Sequence, residues 1–208
     1  APGMIYLETP ANPTLQVHRI KTATDWAKAR TSDDHRIIVA VDNTFLGPII
    51  QRPLELGADL NIYSATKYLG GHSDLVAGAV SGELEAMAKV FEYRTFLGGM
   101  ADPYTSWMLA RSMETLVIRV ERQSSSARKI LDHLQTSPGK PVKGINKIFS
   151  SWAEDLAGSG DYKSAGIVQE QQANGGGMFA MELPGGRKAA FAFLDSLKHF
   201  KLAVSLGS

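Results

Sequence analysis

The chain has 208 residues, 44% hydrophobic and 21% charged, with 22 basic side chains against 21 acidic ones and a formal charge of +1. That mixture is globular rather than disordered, and its balanced charge leaves no electrostatic footprint for nucleic acid or an anionic membrane. Zero cysteines exclude disulfides, thiolate zinc sites and a cysteine nucleophile, and fit a reducing, cytoplasmic setting.

Ile5-Tyr-Leu7 is a short apolar run that empties into Glu8-Thr-Pro-Ala-Asn-Pro13, whose two prolines push Thr9 and Asn12 towards extended backbone. Ile20, Ala23, Trp26 and Ala27 recur at helical spacing, and a polar Thr31–His35 turn follows. Arg36–Val41 is a β-branched run suited to a strand buried on both faces of a parallel sheet. Leu60–Tyr63 and Leu75–Val80 read as further strands, and strands alternating with helical patterns imply βαβ units. Glu83–Phe96 is helical in pattern, broken by Gly98-Gly99, and Pro103–Leu134 reads as one long helix with proline near its start. Pro138-Gly-Lys-Pro141 marks a boundary. Beyond it, strands are expected at Ile145–Phe149, Ile167–Gln169, Met178–Leu183 and Leu202–Val204, and a helix at Gly186–Leu197, forming a smaller α+β unit. No apolar run reaches the roughly 18 residues of a membrane helix, and residues 1–10 lack the pattern of a signal peptide.

Three predicted strands end in polar groups: Glu8, Asp42 and Ser64. The carboxyl edge of an open α/β sheet is where ligands bind. Ser64-Ala-Thr66-Lys67 is the sharpest cluster, with two hydroxyls able to donate to phosphate oxygens and an amine able to form a Schiff base with an aldehyde. Gly70-Gly71-His72-Ser73-Asp74 follows, its glycines permitting a tight turn. Taken singly, Asp42 reads as a cap or turn residue and Lys67 as a solvated surface lysine. His72 and Asp74 have no third ligand nearby, and Met178, Phe179 and Met181 read as core. No P-loop, dinucleotide fingerprint, H-E-x-x-H or G-x-S-x-G occurs.

Four blocks in order, Glu8-Thr-Pro-Ala-Asn-Pro13, Val41-Asp-Asn-Thr-Phe45, Gln51-Arg-Pro-Leu-Glu-Leu-Gly-Ala-Asp59 and Tyr63-Ser-Ala-Thr-Lys-Tyr-Leu-Gly-Gly-His-Ser-Asp74, resemble the Cys/Met-metabolism enzymes that use pyridoxal 5′-phosphate. The likeness runs on through Thr115-Leu116 to Leu202-Ala-Val-Ser-Leu-Gly207. That family includes methionine γ-lyase, cystathionine γ-lyase, cystathionine γ-synthase and O-acylhomoserine sulfhydrylase. The resemblance implies an α/β fold-type I transferase core of the aspartate-aminotransferase type, mostly parallel sheet with flanking helices. Residues 1–135 would form the cofactor-binding large domain and 136–208 an incomplete, smaller α+β domain.

By the same resemblance, Lys67 matches the lysine that carries the cofactor and Asp42 the carboxylate paired with its pyridine nitrogen. Ser64 and Thr66 match phosphate-binding hydroxyls, and Asn12 the amide near the phenolic oxygen. Glu8 belongs to the same loop as Asn12, and Ser205 matches a serine near the substrate carboxylate. The implied reaction is α,γ-elimination of methionine or a related substrate to a thiol, a 2-oxo acid and ammonia. The alternative is γ-replacement on an O-acylhomoserine. A homo-oligomer built as a dimer of dimers is also implied. The family's chains are longer, with an upstream phosphate loop, a ring-stacking tyrosine, groups lent by a neighbouring subunit and a downstream carboxylate-binding arginine that have no match here. The chain is therefore expected to be a fragment lacking both ends and inactive alone. A non-catalytic α/β binding or assembly module, and a nucleotide-binding α/β protein, are the readings of another class.

Overall fold

A computed structural model describes residues 3–208. Its centre is a four-stranded sheet in sequence order: β1 (Met4–Glu8), β2 (Ile38–Asp42), β3 (Leu60–Ser64) and β4 (Gly78–Gly82). The first three strands run parallel and β4 is antiparallel to β3. Val39 and Val41 face a cluster with Ile20 and Ala27 of helix α1 (Ile20–Lys28). Ala40, on the other face of β2, packs with Leu60 and with Ala86 of helix α3 (Leu84–Leu97), which follows α2 (Gly47–Ile50) and the 3₁₀ turn Pro53–Leu56. A strand covered on both faces needs no polar alternation, which is why its run is continuously apolar. Edge strand β1 buries Ile5 and Leu7 against the α1 side and leaves Met4, Tyr6 and Glu8 exposed.

Helix α1 presents Ile20, Thr24 and Ala27 to the sheet at helical spacing, and Thr24 Oγ1 donates to the Leu56 carbonyl at 3.0 Å. At the opposite edge from the strand ends, Arg36 joins Asp59 at 2.7 Å and Glu83 at 2.6 Å, and also meets Glu85. The Thr31–His35 turn is closed by Ser32 and His35, each donating its backbone N–H to the other's carbonyl.

The expected long helix is two: α4 (Pro103–Met113) and α5 (Leu116–Leu134). Asp102 caps α4 through the backbone N–H groups of Tyr104 and Thr105. At its far end the chain tightens to 3₁₀-type bonds, Glu114 N–H to Arg111 and Thr115 N–H to Ser112, and the Ser112 carbonyl also accepts from Arg119.

Beyond α5 lie the hairpin β5 (Gln135–Ser137) and β6 (Lys140–Pro141), strand β7 (Lys147–Ser150), helices α6 (Ala153–Gly158) and α7 (Tyr162–Gln171), strand β8 (Phe179–Glu182), antiparallel to β7, and helix α8 (Gly186–Ser196). Two expected strands are corrected. Ile167–Gln169 lies inside α7, where Asp161 caps the start through Ser164 N–H and Ala165, Val168 and Gln171 form one buried stripe. A three-residue β-branched hint loses to a capped helix with a buried face. Leu202–Val204 forms no strand; Leu202 and Val204 stand exposed with no pairing strand among the described residues. The strand expected at Leu75–Val80 starts later, at Gly78.

A chain of buried amides ties the distant parts together. Gln51 Nε2 donates to the Thr9 carbonyl at 2.8 Å and to Asn43 Oδ1 at 2.9 Å. Asn43 Nδ2 donates to the carbonyls of Gln51 and Gly47. Gln171 Nε2 donates to Gln51 Oε1 at 3.1 Å and to the His18 carbonyl at 3.0 Å, and its Oε1 accepts from Ile20 N–H. Buried amides persist only when paired, and these pair with one another.

Candidate active site

Strands β1, β2 and β3 end side by side. Glu8 is the register partner of Asp42, and Ser64 lies two residues past Ile62, the partner of Asp42 on β3. The chain turns at once after Asp42. Asp42 Oδ1 accepts from Thr44 N–H at 3.1 Å and from Thr44 Oγ1 at 2.6 Å, closing an Asx turn. Thr44 Oγ1 in turn accepts from Ser64 N–H at 2.8 Å. One hydroxyl thus joins the carboxylate of β2 to the end of β3. Asp42 Oδ2 accepts from Tyr6 Oη at 3.2 Å. Partial burial, with the Asp42 carboxylate adding to it, raises the Tyr6 phenol above its usual range.

Lys67 sits in the turn after β3. Its N–H donates to the Ser64 carbonyl at 3.1 Å and its carbonyl accepts from Gly71 N–H at 2.7 Å. The half-buried side chain reaches Ser205, with Nζ to Oγ at 2.9 Å. No ion pair holds the amine among the described residues. The tail is pressed against this turn. Gly207 has φ +92°, and a Cβ there would lie 2.6 Å from the Tyr68 nitrogen, so only glycine fits. Gln123 Nε2 donates to the Gly207 carbonyl at 3.1 Å, and Leu206 packs with Tyr68, Leu116 and Val120.

Thr66 Oγ1 is engaged with one residue, donating to the Ala77 carbonyl at 3.3 Å and accepting Ala77 N–H at 3.1 Å. Glu8 Oε1 accepts from Asn12 N–H at 3.1 Å, which folds their loop over the end of β1; both side chains are exposed. The structure therefore joins Asp42 to Ser64 through Thr44, Lys67 to Ser205, and Glu8 to Asn12. His72 Nδ1 meets the Gly70 carbonyl at 2.7 Å, a turn contact.

Sequence reasoning missed Tyr6, Thr44 and Arg119. Tyr6 shares a strand face with Glu8, a period of two that pointed to it. Thr44 stands two residues past a strand-end aspartate, the spacing of an Asx turn. Nothing local points to Arg119 as a partner of the Lys67 turn, since the Tyr68 and Leu69 carbonyls it bonds lie 51 and 50 residues away.

Residues 2–208 match the family model of the Cys/Met metabolism PLP-dependent enzymes, and the chain belongs to that family. It is 38% identical to the L-methionine gamma-lyase of Pseudomonas deceptionensis over 209 residues, covering 100% of this chain and 49% of that protein. It is 38% identical to a cystathionine beta-lyase of Lactococcus lactis subsp. cremoris over 204 residues, covering 98% of this chain and 49% of the relative. The crystal structure of cystathionine gamma synthase from Xanthomonas oryzae pv. oryzae superposes with a TM-score of 0.87 at 32% identity, over 100% of this chain and 50% of that one. The chain spans about half the length of the curated relatives it matches. Its sheet and flanking helices are the core of the fold-type I pyridoxal-phosphate enzymes.

The family's cofactor is pyridoxal 5′-phosphate, and the strand-end groups suit it chemically. An amine without a carboxylate partner, a carboxylate braced at the end of a neighbouring strand and two hydroxyls on the same turn are a donor set for an aldehyde, a pyridine nitrogen and a phosphate.

Proposed function

We propose that this chain supplies the cofactor-binding face of a pyridoxal-phosphate-dependent sulfur amino-acid enzyme. Its reaction is α,γ-elimination: methionine or a related substrate plus water gives a thiol, a 2-oxo acid and ammonia. When bound, the cofactor supplies an aldehyde for amines and a ring that accepts electrons. Lys67 is the catalytic residue. Its amine would hold the cofactor's aldehyde carbon and, as a free amine, would take the proton from the substrate α-carbon and return protons along the side chain. Asp42, braced by Thr44, keeps a proton on the pyridine nitrogen. Ser64 and Thr66 donate to phosphate oxygens, Thr66 by turning its long hydroxyl bond away from Ala77. Asn12 would face the cofactor's phenolic oxygen, Glu8 holds the Asn12 backbone, and Ser205, which accepts from the Lys67 amine, would stand near the substrate carboxylate.

The observation that carries this reading is the Lys67–Ser205 contact at 2.9 Å, made by an amine that no carboxylate neutralises. Borohydride reduction of the cofactor-loaded protein, followed by peptide mass mapping, tests it. The label is expected on Lys67, and a label on another lysine overturns the assignment. γ-Replacement on an O-acylhomoserine is the second reading, favoured by the likeness to the solved cystathionine gamma synthase. Products from methionine, cystathionine and O-acetylhomoserine separate the two. Residues 1–135 serve in this reading as the cofactor domain and 136–208 as part of a smaller one. The whole protein works in this reading as a cytoplasmic homo-oligomer, a dimer of dimers, an assembly supported by the exposed apolar side chains of α3 to α5. No helix of the described residues is long and apolar enough to cross a membrane.

A further inference from the structure

The turn that carries Lys67 is gripped from outside by Arg119 of α5. Nη1 donates to the Tyr68 carbonyl at 2.8 Å, and Nη2 to the carbonyls of Ser112 at 2.8 Å and Leu69 at 3.4 Å. Nε donates to Thr115 Oγ1 at 3.0 Å. Arg119 takes part in no ion pair among the described residues. All these bonds go to carbonyls and one hydroxyl. A planar guanidinium can hold three carbonyls from different segments at once, which a lysine ammonium on a flexible stem cannot do in fixed geometry.

A second, independent observation concerns Gly71. Its φ is +66°, and a Cβ added there would lie 1.8 Å from Arg119 Nη1. A side chain at 71 and the guanidinium cannot occupy the turn together. The N–H of the same glycine closes on the Lys67 carbonyl. The backbone on the carboxyl side of Lys67 is thus bracketed by Gly71 and by Arg119, and both are bonded to consecutive carbonyls of one turn.

We propose that Arg119 is a positioning residue for Lys67: by fastening the Tyr68 and Leu69 carbonyls to the α4–α5 junction, it sets where the lysine amine stands. This rests on Lys67 being the lysine that bears the cofactor. A four-carbon stem has many rotamers, so its amine is placed only as well as its backbone is held. One charged fork places two bonds on this turn and two on the α4–α5 junction, and so ties the one to the other.

The test uses the intact protein loaded with pyridoxal 5′-phosphate and measures the cofactor dissociation constant for R119K and R119M, each with Lys67 present and in the K67A background. With Lys67 present, both variants are expected to weaken retention by about tenfold, the scale of a lost hydrogen-bonded contact to a charged group. In the K67A background their effect should shrink to less than about twofold, because coupled residues are non-additive. Equal losses in both backgrounds, or no loss with Lys67 present, overturn the proposal. Should R119M fail to fold, G71A provides the comparison, since its Cβ displaces the guanidinium with Arg119 retained; the same background-dependent loss is expected. If K67A itself retains cofactor as the parent protein does, the reading of Lys67 fails first, and that result is distinguishable from a failure of Arg119 alone.

Discussion

Asp42 has two oxygens and both are used, Oδ1 by Thr44 and Oδ2 by Tyr6. The phenol stands where a ring N–H would compete for the same carboxylate. Tyr6→Phe removes that competitor and is expected to tighten cofactor binding, by about threefold to tenfold on the scale of one hydrogen bond. Titration of the visible absorption band measures it, and weaker binding would assign the phenol a supporting role instead. Tyr68, the neighbour of Lys67, carries a different consequence. Burial pushes its phenol up to about 12. In the unfolded chain a tyrosine titrates near about 10. The native state keeps the proton in the window where the unfolded chain loses it. That contribution is fully present below about pH 10 and is lost as pH rises through 12, roughly 3 kcal/mol at most. Tyr63 is raised by burial too, so the informative quantity is the difference between parent and Tyr68→Phe. Denaturant midpoints between pH 9 and 12 should fall less steeply for the variant.

The amide chain Asn43–Gln51–Gln171 belongs to the scale of elements, because it joins the loop after β1, the turn after β2 and the end of α7. Gln51→Leu leaves the Thr9 carbonyl, Asn43 Oδ1 and a Gln171 N–H without their partner. The expected loss is about 3 kcal/mol in chemical denaturation, with the far-ultraviolet spectrum of the folded state unchanged. Legibility divides along this line. Strands β1, β2 and β3 were readable because each is a compact apolar run closed by a polar residue, and their polar ends were enough to suggest a ligand edge. The α4–α5 break was not readable: Trp107, Val117 and Val120 keep helical spacing across it, and the guanidinium that bonds the Ser112 carbonyl at the break comes from seven residues further along the chain. Ile167–Gln169 failed for the converse reason, since its periodicity is visible only together with Ala165 and Gln171. The roles proposed for Asn12 and Ser205 came from family likeness, because single polar residues in loops carry no periodic signal.

On the scale of the molecule, α3, α4 and α5 expose Leu84, Phe96, Leu97, Trp107 and Ile118, among other large apolar side chains. Large apolar side chains exposed on neighbouring helices are candidates for an interface. If the dimer of dimers forms here, F96E and I118D in the intact protein should shift the species seen by sedimentation towards smaller assemblies at equal concentration. An unchanged distribution would place the interface elsewhere.

The pressing of Gly207 onto the backbone of Lys67 has a consequence in time as well as space. The two ends of the Lys67–Ser205 contact are 138 residues apart, and a ribosome adds roughly 5–20 residues per second. A nascent chain therefore waits between about 7 and 28 s after the lysine is polymerised before the serine that steadies it exists. Through that interval the amine is an unguarded nucleophile, and a co-translational pulse of aldehyde should mark it more readily than the finished protein allows.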